Sequence, residues 1–228
     1  VHIYCDFDGT ITAQDTTDAV LRDLARPEWE SLEAAWLAGR ISAAECMRKQ
    51  IALIQGDDAA LEAILGRIEL RAGFESFARW CKEEDLPLIV VSDGVDFMIR
   101  HILNRHGLGY LPVFANQLAG VPGARVLDQP WAASACLNKS GVCKCGVTRA
   151  GAPNPLVYIG DGRSDFCIAG EADVLFARST LARHCVDQGL PFIAYDNFSD
   201  VQRYLFLMRL DGRSDKASAP LDHVEGSV

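Results

Sequence analysis

Long apolar runs are missing from this chain of 228 residues, and so are clusters of lysine and arginine. Without a stretch near the ~18–20 apolar residues that a membrane-spanning helix needs, no membrane partner is expected. Without a basic patch, and with a formal net charge of −9, nucleic acid is not an expected partner either. No fixed-period repeat or low-complexity tract occurs, so an ordinary globular domain is expected up to a polar end. Val1–Cys5 leads directly into charged sequence, which argues against a secretory leader. The chain starts without Met, and a few upstream residues are expected. Cysteine, by contrast, is plentiful at eight residues. Most lie in segments that read as strands or helices, so reduced thiols in a cytoplasmic protein are expected rather than a disulfide framework.

Alternation of short apolar runs with amphipathic stretches predicts an α/β fold, a Rossmann-like and mostly parallel sheet. Strands are predicted at Val1–Cys5, Leu88–Val91, Pro112–Leu118, Ala124–Leu127, Leu156–Ile159, Val174–Ala177 and Phe192–Ala194. Between Thr16 and Ala72 the alternation fails and helix follows helix. Ser42-Ala-Ala-Glu45 is a capping-box signature opening one of them. The expected organisation is a core of residues 1–14 and 73–210, a helical cap of residues 15–72 inserted after the first strand, and a flexible tail at 211–228.

Three predicted strand ends carry polar residues: Asp6 and Asp8, then Ser92, then Asp161 with Asp165. In open α/β sheets, ligands bind beyond the carboxyl ends of the strands, so these distant segments can meet in one site. Asp6-Phe-Asp8 would put two carboxylates on one face if the strand stayed regular. Such a pair suits phosphoryl transfer, with one group attacking phosphorus and its neighbour handling the leaving-group proton. Gly9 permits a sharp turn, and Thr10 brings a hydroxyl and an N–H toward a phosphate. An EF-hand loop is a poor alternative, because the third acidic position and the terminal Glu are lacking. Asp161 could ligate Mg²⁺ and Asp165 could anchor it. Ser92 could donate to a phosphate oxygen. An acidic chain that handles an anion needs local positive charge, for which Lys144 and Lys139 compete.

Asp6-Phe-Asp-Gly-Thr-Ile-Thr12, Val91-Ser92, Lys144 and Gly160-Asp-Gly-Arg-Ser-Asp165 resemble, in order and spacing, the four motifs of the haloacid-dehalogenase superfamily. That resemblance covers Ile3 to about Leu207. It implies an Mg²⁺-dependent phosphatase acting on a small phosphorylated metabolite. Asp6 would be the nucleophile and Asp8 the general acid and base, with Ser92 and Lys144 holding the phosphoryl group. Asp6, the Asp8 carbonyl and Asp161 would bind the metal, supported by Asp165. A dehalogenase proper is disfavoured, since that branch lacks the second carboxylate found here at Asp8.

Two branches compete at the next level. Ile68-Glu-Leu-Arg-Ala-Gly-Phe74, Val95-Asp-Phe97, Cys143-Lys144 and Phe176-Ala-Arg178 resemble methionine-salvage phosphatases, which act on 2-hydroxy-3-keto-5-methylthiopentenyl-1-phosphate. Ile51-Ala-Leu-Ile-Gln55 and Val113-Phe-Ala-Asn-Gln-Leu118 resemble phosphoserine phosphatases. The cap glutamate and arginine of that second branch fall here on Asp15 and Gln50, and without the arginine a serine carboxylate would lack its partner. Asp15 and Arg48 are the cap residues expected at the substrate. Asp93-Gly94 replaces the Gly-Gly of both branches. Phosphoethanolamine and phosphocholine phosphatases have an acidic residue there. Asp93 is thus expected either to meet a cationic substrate group or to cap the following helix. Cys136, Cys143 and Cys145 give only three of the four ligands a structural zinc needs, and Cys167 or Cys185 could complete the set only through folding. Buried or loop thiols are the default reading.

Overall fold

The computed structural model describes residues 1–151 and 155–217. Among the described residues, seven strands form one sheet in the order β4-β3-β2-β1-β5-β6-β7. They are β1 (His2–Cys5), β2 (Leu88–Val95), β3 (Val113–Val121), β4 (Ala124–Asp128), β5 (Leu156–Gly160), β6 (Val174–Ala177) and β7 (Ile193–Ala194). All pairings are parallel except β3 with β4. The predicted α/β class, mostly parallel with a helical insertion after the first strand, is what the chain adopts.

β1 lies mid-sheet, with Ile3 opposite Leu88 on one side and Val157 on the other. From there the chain builds outward in both directions, so the carboxyl ends of β1, β2 and β5 adjoin at the reversal point where α/β sheets bind ligands. Alternation along β1 sends Ile3 and Cys5 into one apolar layer and Tyr4 into the other. The first layer is shared with α5 (Phe74–Glu83), α6 (Asp96–Arg105) and α10 (Phe198–Ala217). The second is shared with α7 (Lys144–Gly151), α8 (Phe166–Ala169) and α9 (Ser179–Gln188).

Between β1 and α5 stand α1 (Thr16–Leu24), α2 (Trp29–Leu37), α3 (Ala43–Ile51) and α4 (Asp58–Leu65). Three start on side-chain caps: Asp15, Ser42 and Asp57 accept from the N–H groups of Asp18, Glu45 and Ala60. The Ser42 half of the predicted capping box forms, while the Glu45 carboxylate pairs with Lys49 at 2.6 Å. A bridge between Thr12 and Leu70 marks where the insertion leaves and rejoins the core. Arg125 on β4 reaches back to it, donating to Asp58 Oδ1 at 2.8 Å and the Gly56 carbonyl at 2.9 Å.

β3 runs on to Val121, beyond the expected Leu118, and two further elements also extend past the sequence reading. β2 continues through Ser92-Asp93-Gly94 to Val95, with a register shift against β3. α10 runs on to Ala217, past the point at 211 where the tail was expected to begin, because extending a formed helix adds a hydrogen bond for each residue fixed. The rest of that tail, from 218, lies outside the described residues.

Candidate active site

Asp6 follows directly on β1 at the mouth of a cavity of about 560 Å³. The strand does not stay regular beyond Cys5. Phe7–Ile11 folds into an irregular turn in which Gly9 has φ +75°. A side chain on Gly9 would also meet Asp161, since a Cβ there would lie 2.5 Å from Asp161 Oδ2. Asp6 and Asp8 thus both line the cavity through a turn rather than through strand pleating. Arg71 holds the turn from behind, donating to the carbonyls of Gly9 at 2.7 Å and Thr10 at 3.0 Å.

Lys144, at the start of α7, is fully buried. Its ammonium sits 2.8 Å from Asp6 Oδ1, 2.6 Å from Asp165 Oδ1 and 2.9 Å from Ser164 Oγ. Burial pulls this lysine toward neutrality, but Asp165 and Asp6 outweigh it and hold the charge in place. Neither Lys144 nor its rival in sequence, Lys139, lines the cavity, but Lys144 is paired with Asp6, which does. Asp6 also accepts from the Phe7 N–H at 2.8 Å. Burial and the nearby Asp165 push its carboxyl well up, with Lys144 opposing them.

Asp165 is completely buried and fully engaged. One oxygen accepts from Lys144 and from Tyr158 Oη at 2.5 Å. The other accepts from the N–H groups of Asp161 at 3.0 Å and Gly162 at 2.9 Å. Asp161, not Asp165, faces the cavity. Burial raises its carboxyl, and so does Asp165. Carboxylate oxygens of Asp6, Asp161 and Asp165 lie within 4.8 Å of one another. Lys144 is the one cation in direct contact with that trio among the described residues. The surplus of negative charge on hard oxygen donors fits a divalent cation such as Mg²⁺.

Asp8 accepts from the Thr16 N–H at 2.8 Å and the Thr16 hydroxyl at 2.7 Å. Desolvation pushes its carboxyl up to about 6, against those two hydrogen bonds. Gly94 makes room for it: a Cβ there would lie 2.5 Å from Asp8 Oδ2. Ser92, buried beside them, accepts from the Gly94 N–H at 3.0 Å, which leaves its hydroxyl proton to donate into the cavity.

Two expected substrate contacts, Thr10 and Arg48, point elsewhere, and a third, Asp93, lines the cavity but is bonded to its surroundings. The Thr10 hydroxyl donates to Asp161 Oδ1 at 2.8 Å instead of facing the cavity, because the turn carries Thr10 inward. Asp93 neither caps α6, whose first turn it does not reach, nor keeps its carboxylate free for a cation. It accepts from the Val142 N–H at 2.9 Å and from Asn116 at 3.3 Å, tying β2 and β3 to the segment just before Lys144. Arg48 is exposed and bonds Gln129. On α3 it is Ala43, Cys46, Met47 and Gln50 that turn to the cavity. Asp15 does lie at the cavity, on its exposed rim, while capping α1.

Thr16, Tyr158, Ser164 and Arg71 escaped the sequence reading. Ser164 had the clearest signal, lying inside the Gly160–Asp165 run. Tyr158 had none, since a tyrosine in an apolar strand reads as core.

A strand-end aspartate pair, a buried lysine and a second acidic turn, gathered around one cavity on a parallel sheet, define a class. The chain belongs to the haloacid dehalogenase-like hydrolases, whose family model matches residues 3–170, and it is a phosphatase of that family. It is similar to the 2-hydroxy-3-keto-5-methylthiopentenyl-1-phosphate phosphatase of Brevibacillus brevis, 34% identical over 89% of this chain and 94% of the relative. The enzyme of the same description from Geobacillus thermodenitrificans is 33% identical over the same shares. Among solved structures, a phospho-aspartyl intermediate analogue of phosphoserine phosphatase superposes with a TM-score of 0.64 at 20% identity, covering 89% of this chain and 97% of that one. At that identity the likeness speaks for the fold alone.

Proposed function

We propose that this chain is an Mg²⁺-dependent phosphomonoesterase working through an aspartyl-phosphate at Asp6. The observation that carries the reading is Asp6 itself: a buried carboxylate at the end of the central strand, held by Lys144 and the Phe7 N–H and open to the cavity. Asp6 attacks phosphorus, and the bond from phosphorus to the ester oxygen breaks. Asp8 gives its proton to the leaving alkoxide, then takes one from the water that attacks the aspartyl-phosphate, so that inorganic phosphate leaves and Asp6 is regenerated. Lys144 and Ser92 hold the phosphoryl oxygens, and Asp165 keeps Lys144 in place. Asp6, the Asp8 carbonyl and Asp161 would hold Mg²⁺, which when bound would neutralise charge on the phosphoryl group. The helical insertion, residues 15–72, acts as a cap that excludes water and selects the substrate.

The favoured substrate is that of the curated relatives, 2-hydroxy-3-keto-5-methylthiopentenyl-1-phosphate. Trp36, Ala43, Cys46 and Met47 form an apolar wall on the insertion side of the cavity, suited to a thioether tail. Phosphoserine is disfavoured, because Gln50 donates to Glu33 at 3.0 Å where an arginine would have met the serine carboxylate. A second reading has its own observation: Asp18 and Glu33 also line the cavity, as Trp36 does, a setting for the ammonium of phosphoethanolamine or phosphocholine. The test is phosphate release with Mg²⁺ across these four esters and p-nitrophenyl phosphate, for the native chain and Asp6→Asn. The methylthio ester should give the highest kcat/KM, and Asp6→Asn should be inactive on every ester. A preference for the cationic esters would select the second reading, and turnover by Asp6→Asn would end the nucleophile assignment.

A further inference from the structure

Cys136, Cys143 and Cys145, the last on α7, lie in one apolar layer, and Cys167 on α8 packs against it. None of the four lines the cavity, and all are free thiols. The sulfurs of Cys136, Cys145 and Cys167 lie within 4.8 Å of one another, and Cys143 Sγ is 3.4 Å from Cys145 Sγ. Four thiolates around one zinc at ~2.3 Å stand about 3.8 Å apart along the tetrahedral edges; the trio is compatible with that spacing, and Cys143, beside Cys145 but outside the trio, would close in as the fourth. Backbone donors point at the sulfurs as well. The Gly146 N–H reaches Cys143 Sγ at 3.3 Å, while Asn138 and Cys145 offer theirs to Cys136 and Cys167. Such N–H groups orient and stabilise thiolates. Apolar packing alone would require neither four sulfurs from three segments nor donors aimed at them.

We propose that Cys136, Cys143, Cys145 and Cys167 bind one zinc ion, a structural site separate from the magnesium centre. Soft thiolate donors in fourfold array select zinc over magnesium. Each ligating thiol releases its proton to solvent as the ion binds. The location gives the ion its purpose. Lys144 lies between two of the ligands, and Cys167 follows Asp165 by two positions. The ion would therefore clamp together the two segments that carry the buried Lys144–Asp165 pair.

The test uses the full chain, purified in reductant without chelator. Metal analysis should find one zinc per chain. After zinc is stripped, added Co²⁺ should develop the thiolate charge-transfer and visible bands of a tetrahedral sulfur site, and zinc should abolish them. Cys136→Ser and Cys167→Ser should each lower zinc affinity by about tenfold or more, while Cys185→Ala should leave it intact. Native chain without zinc and without a cobalt spectrum would overturn the proposal. So would fewer than eight free thiols in unfolded, metal-free protein that was never exposed to oxidant, since that would mean a disulfide. Both of those readings come from the native chain, so a variant that fails to fold does not protect the idea.

Discussion

Thr10 sits where a sequence reading sends it to the phosphate, yet its hydroxyl is bonded to Asp161. The difference has a measurable consequence. Thr10→Val removes a donor that orients a metal-facing carboxylate, so the Mg²⁺ concentration for half-maximal activity should rise about 10–100-fold, with a smaller change in KM for the ester. A raised KM at unchanged metal demand would return the hydroxyl to the substrate. At this scale the acidic residues were legible because each ends a recognisable strand. Their partners were not. Tyr158 and Thr16 hold Asp165 and Asp8 through side chains that look like ordinary core or helix-start residues in one dimension. Asp93 misled for a related reason: its partner Val142 is 49 positions away, and no local pattern announces a backbone N–H that distant.

Elements set which residues reach the cavity. α3 turns Cys46, Met47 and Gln50 inward, so Arg48 on the same helix faces solvent. Arg48→Ala should leave kcat/KM within about twofold, as for an ordinary surface change; a large loss would mean the insertion moves enough to bring Arg48 in. β2 matters through its last residues. Asp93→Ala orphans the Val142 N–H in front of α7, which should cost about 1–3 kcal/mol in urea unfolding. Asp93→Asn keeps an acceptor there and should lose much less. If Asp93→Asn instead selectively raised KM for phosphocholine, the carboxylate would be reading a cation after all. Strand and helix positions were largely readable from periodicity, since buried strands and amphipathic helices leave different spacings. Gly9 announced a turn, but the path of Phe7–Ile11 was not readable, because it depends on Arg71 and Asp161.

For the molecule as a whole, the sheet order decides the outcome. With β1 between β2 and β5, residues 6, 92 and 161 converge although most of the chain separates them in sequence. The helical insertion returns to the core beside the same strand end, and so covers the site rather than some other face. Among the described residues no helix is long and apolar enough to cross a membrane, in line with the composition. The arrangement makes one claim above the others: Asp6 becomes phosphorylated. Acid quenching during turnover, borohydride reduction of the acyl phosphate and peptide mapping read this out directly. Homoserine should appear at position 6 only when substrate and Mg²⁺ are both supplied. Homoserine at Asp8 or Asp161, or no reduced residue despite rapid phosphate release, would contradict the account.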